Sequence, residues 1–112
     1  MKKNMKVLVV DDNKEGRLLL SKILTSNNYD VTEACNGIEA LECLKTLKPD
    51  LIISDILMPV MDGFTLIRGL NKNSNGGKIP VVLYSAQYVN EKDKELAEKL
   101  GALRLVSTDM LG

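Results

Sequence analysis

The sequence predicts an α/β fold: a single doubly wound parallel sheet of five strands with helices between them. Two observations predict it. Short β-branched and aliphatic runs alternate strictly with stretches of helical periodicity, five of the first and four of the second. Strands joined in this way lie parallel, with right-handed crossovers. The second observation is that polar residues close several of these runs. Asp11 and Asp12 come directly after the first, Asp55 after the third and Ser85 after the fourth. In a parallel sheet all such positions share one edge, where the crevice for ligands opens.

Lys6–Val10 reads as the first strand. Asp12 or Asn13 caps the helix after it, whose apolar face is Leu19, Leu20, Ile23 and Leu24. Gly16 in that helix costs about 1 kcal/mol relative to alanine, so packing must hold its turn. Asn27-Asn28 ends the helix. Tyr29–Ala34 alternates weakly and reads as a second strand nearer the sheet edge. After the Asn36-Gly37 turn, Ile38, Ala40, Leu41, Leu44 and Leu47 form an amphipathic helix that Lys48-Pro49-Asp50 terminates.

Leu51–Ser54 is the third strand, read as buried on both faces, and it runs into Asp55. A loop stiffened by Pro59 ends at Asp62-Gly63. Phe64, Ile67 and Leu70 then mark a short helix, and Asn71–Lys78 reads as a loop. Pro80 opens the fourth strand, Val81–Tyr84. Asn90–Leu100 is a charged helix with Leu96, Ala97 and Leu100 as its apolar stripe. Glu95 and Lys99 are spaced to pair within it, and Gly101 suits its C-terminal end. Leu103–Val106 is the fifth strand. With no repeat, linker or low-complexity segment, residues 1–112 read as one domain.

Composition narrows the function. Fifteen basic residues balance fifteen acidic ones, so no cationic surface calls for direct nucleic-acid binding. No apolar run nears the ~20 residues of a membrane span. The basic start is followed by only Val7–Val10 before two aspartates, too short for a signal peptide, and the chain reads as cytoplasmic. With no histidine and only Cys35 and Cys43, the usual zinc sets are excluded. Both thiols read as reduced, small core-type residues.

An unpaired carboxylate is costly away from water, so an aspartate ending an apolar strand asks for a reason. Asp55 alone could be a loop cap. Asp11, Asp12 and Asp55 brought to one sheet edge would repel and raise one another's pKa values. A hard divalent cation relieves that repulsion, and Mg²⁺ takes few protein oxygens while keeping positions for water and phosphate oxygens. The constellation fits a Mg²⁺ site beside a nucleophilic carboxylate. Asp55 would attack phosphorus, and Ser85 would donate a hydrogen bond to a phosphoryl oxygen.

The motifs Val9-Val10-Asp11-Asp12-Asn13, Asp50 through Gly63, Ile79 through Ala86 and Gly101-Ala102 together resemble a two-component response-regulator receiver domain of the chemotaxis-regulator type. The resemblance covers nearly the whole chain in the family's order, and the Asp-x-x-Met-Pro-x-Met-Asp-Gly piece is its most specific part. It implies a flavodoxin-like sheet of order 2-1-3-4-5. It also implies a phosphorelay module in which Asp55 accepts a phosphoryl group from a histidine kinase or phosphotransfer protein. Such a module promotes its own phosphorylation and dephosphorylation without turning over an external substrate. Asp12 and Asp55 would bind Mg²⁺ through side chains, Asp11 mainly through bound water, and Leu57 through its backbone carbonyl. Ser85 would take the family's Ser/Thr switch position.

The chain departs from that pattern in two places. Thr108 stands where the family has a lysine that contacts the phosphoryl group, with Asp109 where a proline comes next; Leu105 stands at the aromatic switch position. Only six residues remain after Val106, too few for the family's fifth helix. A piece of a longer protein is therefore expected, or a face left open to an output domain or to a second copy. The alternative function is a degenerate receiver that binds proteins independently of phosphorylation. An aspartate-nucleophile phosphatase of the haloacid-dehalogenase type would need an aspartate where Leu57 stands. A nucleotide-binding domain would need a glycine-rich loop after the first strand.

Overall fold

The computed structural model describes residues 4–58, 60–72, 79–85 and 90–107. Its elements, in chain order, are β1 (Lys6–Val10), α1 (Lys14–Ser26), β2 (Asp30–Ala34), α2 (Gly37–Cys43), β3 (Leu51–Asp55), α3 (Gly63–Lys72), β4 (Val81–Ser85), α4 (Glu91–Leu100) and β5 (Arg104–Ser107). All neighbouring strands are parallel and the order is β2-β1-β3-β4-β5, the flavodoxin-like order that the resemblance implies. Residues 108–112 lie outside the described residues. The expectations for Thr108, for Asp109 and for the lack of a fifth helix all fall there.

Side-chain alternation along each strand divides the sheet into two unlike faces. Leu8, Val10, Ile52, Val81 and Leu83 point to one face and form the core with Phe64, Leu66, Ile67, Ala40 and Ala97 from α2, α3 and α4. The opposite face carries Val7 and Val9, both buried, with α1 packed over β1 and β2. Farther along that face Ile53 and Val82 are only half-buried, and Val106 is exposed. The third strand is therefore buried on one face and half-covered on the other, not buried on both as its composition suggests.

Short polar residues and a glycine close the helix ends. Asn13 caps α1, accepting from the Gly16 N–H at 3.0 Å. Asn36 caps α2 and accepts from the Glu39 N–H. Asn90 and Asp93 cap α4 reciprocally, each side chain accepting the other's backbone N–H. Gly101 ends α4 in the left-handed region, at φ 85°. Asn28 does the same beyond α1, at φ 69°.

Four further expectations need correction. Leu19 and Ile23 are exposed, whereas Leu20 and Leu24 face inward, because α1 sits over β1 and β2 rather than centrally on its sheet face. α2 ends at Cys43, earlier than expected. Its last turn tightens to i−3 bonds, Lys45 N–H to the Glu42 carbonyl and Thr46 N–H to the Cys43 carbonyl, so Leu44 and Leu47 reach the core from the turns beyond the helix. In α4 the ion pair made is Lys94–Glu91, at 3.5 Å, three residues apart. Finally, Cys35 and Cys43 are free thiols at half-buried positions, and Cys35 Sγ donates to Glu39 at 3.3 Å instead of joining the core.

The unequal faces give a direct test. Leu83 is wholly buried and Leu19 is 63% exposed. Leu83→Ala should cost about 2–5 kcal/mol in urea unfolding, and Leu19→Ala should stay within about 0.5 kcal/mol of wild type.

Candidate phosphoacceptor and metal site

Register brings the acidic residues together. β1 and β3 pair Val10 with Ser54, so the residues that follow them, Asp11 and Asp55, come out side by side at the C-terminal edge. Asp55 pairs in turn with Tyr84 on β4, which sets Ser85 one step beyond. Carboxylate oxygens of Asp11, Asp12 and Asp55 all lie within 4.8 Å of one another. Asp11 is buried, Asp12 exposed and Asp55 half-buried. Three hard oxygen donors at this spacing suit a cation such as Mg²⁺, which is held by carboxylates and water.

Asp11 is the most restrained of the three. Its Oδ1 accepts the Asn13 N–H at 2.9 Å and its Oδ2 accepts the Tyr84 hydroxyl at 2.5 Å. Its own N–H donates to the Ala34 carbonyl at 3.1 Å, tying the end of β1 to the end of β2. Its carbonyl accepts from Arg17 Nη1 at 2.8 Å, while Arg17 Nε pairs with Glu33 at 2.9 Å. Arg17 thus braces α1 and β2 against the turn that carries Asp11 and Asp12.

Asp55 Oδ1 accepts the Leu57 N–H at 3.2 Å, a turn that holds the carboxylate at the strand end. The Ser54 hydroxyl donates to the Asp55 carbonyl, and the Gly63 N–H to the Ile56 carbonyl at 2.9 Å. The start of α3 is therefore pressed against the end of β3. A Cβ added at Gly63 would lie 2.8 Å from both the Asp55 carbonyl oxygen and Leu83 Cδ2. Asp62 caps α3 by accepting the Thr65 N–H at 2.7 Å. Burial, with the negative charge of Asp11 next, pushes the Asp55 carboxyl from its ordinary 3.8 up to about 6; Asp12 adds to the rise and the Leu57 N–H opposes it.

Ser85 is buried at the end of β4, opposite Ser107 of β5. Leu57 comes two residues after Asp55 in the turn, with its side chain exposed. Leu105 packs partly buried against the core, opposite Leu83. The structure thus brings Asp11, Asp12, Asp55, Leu57 and Ser85 to one edge; Thr108 lies outside the described residues. Sequence reading missed Tyr84 and Arg17. Tyr84 was legible as an aromatic residue with a polar tip beside Ser85, one strand from Asp55. Arg17 carries no such signal, because its partner Glu33 is fixed only by the β1–β2 register.

The pattern of the response regulator receiver domain matches residues 7–110. The chain belongs to this family. It is 38% identical over 98 residues to a protein-glutamate methylesterase/protein-glutamine glutaminase of Methanosarcina acetivorans, covering 86% of this chain and 27% of that protein. It is 39% identical over 93 residues to the sensor protein EvgS of Escherichia coli, covering 83% of this chain and 8% of that protein. These relatives are much longer than the part that this chain spans. Among solved structures, the chemotaxis protein CheY4 of Vibrio cholerae superposes with a TM-score of 0.87 at 30% identity, covering 94% of this chain and 87% of that one. The receiver fold is thus shared by a sensor protein, a methylesterase and a chemotaxis protein, so family membership fixes the module and not its output.

Two tests arise here. Gly63→Ala should cost about 1–3 kcal/mol, read as a lower urea midpoint, because neither the Asp55 backbone nor Leu83 has room to retreat. The second concerns pH in metal-free protein. With its carboxyl raised, Asp55 binds more protons folded than unfolded between about 4 and about 6. Its contribution to stability is therefore full at low pH and is lost as pH rises through about 6. Measured with chelator, wild type should lose ground relative to Asp55→Asn across that window, and added Mg²⁺ should restore it. An unchanging difference would remove Asp55 as a strained carboxylate.

Proposed function

We propose that this receiver domain is a phosphoacceptor module of a two-component phosphorelay. Asp55 takes a phosphoryl group from a histidine kinase or phosphotransfer protein. The observation that carries this reading is the convergence of Asp11, Asp12 and Asp55, their oxygens within 4.8 Å, at a sheet edge where Asp55 is neither fully buried nor fully exposed. The Leu57 N–H holds one Asp55 oxygen and leaves the other as the nucleophile. As that oxygen bonds to phosphorus, the phosphorus–nitrogen bond of the donor's phosphohistidine breaks and the imidazole leaves with the electron pair and takes up a proton.

Asp12 and Asp55 would hold Mg²⁺ directly, Asp11 through water and Leu57 through its carbonyl oxygen. Bound there, Mg²⁺ supplies positive charge against the carboxylates and the phosphoryl oxygens. Ser85 would donate its hydroxyl to a phosphoryl oxygen, and Thr108, at the position of the family lysine, would offer a hydroxyl where that family offers a charge. A second reading, an interaction module that works without phosphorylation, is favoured by Leu105. Its side chain packs against the core cluster and lacks the polar tip of a switching aromatic residue. In the phosphorelay reading the partner is a histidine kinase or phosphotransfer protein; in either reading an output domain or second copy is the further candidate. Among the described residues no helix is long and apolar enough to cross a membrane.

Incubation with Mg²⁺ and acetyl phosphate, followed by intact-mass measurement, separates the readings. The phosphoacceptor gains one labile phosphoryl group that Asp55→Asn does not. Thr108→Lys should then lengthen or shorten the lifetime of that adduct without abolishing it. An unmodified wild-type mass leaves the interaction module standing.

A further inference from the structure

The Tyr84 side chain reaches into the acidic set from outside it. It precedes Ser85 on β4 and lies opposite Asp55 on β3. Strand alternation sends Ser85 and Tyr84 to opposite faces, Ser85 among buried residues and Tyr84 to the half-covered face. From there the half-buried ring reaches under the end of β3, and its hydroxyl donates to Asp11 Oδ2 at 2.5 Å. The bond joins residues 73 apart in sequence, across the intervening strand β3.

The chemistry at Asp11 makes this donor consequential. Asp11 is 4% exposed, so water cannot satisfy its carboxylate freely. Oδ1 is met by the Asn13 N–H, and among the described residues the Tyr84 hydroxyl is the donor that meets Oδ2. Without it, a buried carboxylate oxygen would face the negative Asp12 and Asp55 with no compensating donor, and repulsion would turn Asp11 away from them. Each carboxylate oxygen has a further lone pair, so the Tyr84 bond orients Asp11 without consuming its capacity to meet a cation or its water. Burial and the bond to Asp11 both hold the phenol in its protonated, donating form.

We propose that Tyr84 is a positioning residue of the cation pocket: acting through Asp11, it fixes the direction in which that carboxylate faces and so strengthens divalent-cation binding. The role rests on reading Asp11, Asp12 and Asp55 as the cation-binding set. Outer-shell donors of this kind commonly contribute about 10- to 100-fold in metal affinity. The hydroxyl alone does this work, since the ring serves packing and is retained in phenylalanine.

Isothermal titration of Mg²⁺ into wild type, Tyr84→Phe, Asp11→Asn and the double variant tests it, with thermal melts confirming that each is folded. Tyr84→Phe should raise the Mg²⁺ dissociation constant about tenfold or more. In Asp11→Asn the further change Tyr84→Phe should make little difference, because Tyr84 acts through Asp11. With acetyl phosphate, Tyr84→Phe should demand more Mg²⁺ for half-maximal phosphorylation yet approach the wild-type rate at saturating Mg²⁺. An unchanged or tighter dissociation constant in Tyr84→Phe overturns the proposal. So does an equal loss on the wild-type and Asp11→Asn backgrounds, which would mean a structural effect that bypasses Asp11. The phosphoacceptor reading fails separately, by the absence of an adduct in wild type.

Discussion

The mutual repulsion of three carboxylates, imposed by strand register, is the constraint on which this molecule turns. Parallel pairing of β1 with β3 brings Asp11 and Asp55 out at the same level, and no side-chain rearrangement can undo a backbone ladder. Two unlike charges would simply pair there. Three like charges leave the site under electrostatic load, and burial at the strand end, with the charges of Asp11 and then Asp12 added to it, raises the Asp55 carboxyl. A divalent cation held at this edge would relieve that load.

A loaded site needs rigid supports, and the surrounding hydrogen bonds supply them from four elements. β2 holds the Asp11 N–H through Ala34, α1 holds its carbonyl through Arg17, the turn into α1 holds Oδ1 through Asn13, and β4 holds Oδ2 through Tyr84. Asp55 is held differently, by its own turn through Leu57 and by the close seat of Gly63 behind it. Asp12 is exposed. The three carboxylates therefore grade from clamped to free.

Most of the fold was legible because its signals are local. Strand positions came from apolar runs, and helix ends from Asn13 and Gly101, each of which needs only its immediate neighbours. Three of the misplacements came from tertiary packing. The stripe on α1 could not reveal that Leu19 and Ile23 would overhang a partly covered face, and α2 gave no local sign that its last turn would tighten at Cys43 to carry Leu44 and Leu47 inward. The Leu51–Ser54 run looks the same whether one or both of its faces are covered. The meeting of Asp11, Asp12, Asp55 and Ser85 at one edge was legible because strand ends share an edge whatever the details. Tyr84 was not, because its role depends on which face its ring takes and on a hydroxyl crossing beneath a neighbouring strand.

The same geometry explains why Tyr84 and Leu105 behave so differently, although both lie near the C-terminal edge. Leu105 faces the core side, opposite Leu83, and has only dispersion and burial to offer. Tyr84 faces the side where Ile53 and Val82 are half-covered, and combines an apolar ring with a directed donor. A ring at such a boundary rests on apolar neighbours while its polar tip stays with the charges. An aliphatic residue at position 84 would keep that packing and lose the tip. The Tyr84 hydroxyl therefore links the acidic pocket to the half-covered face.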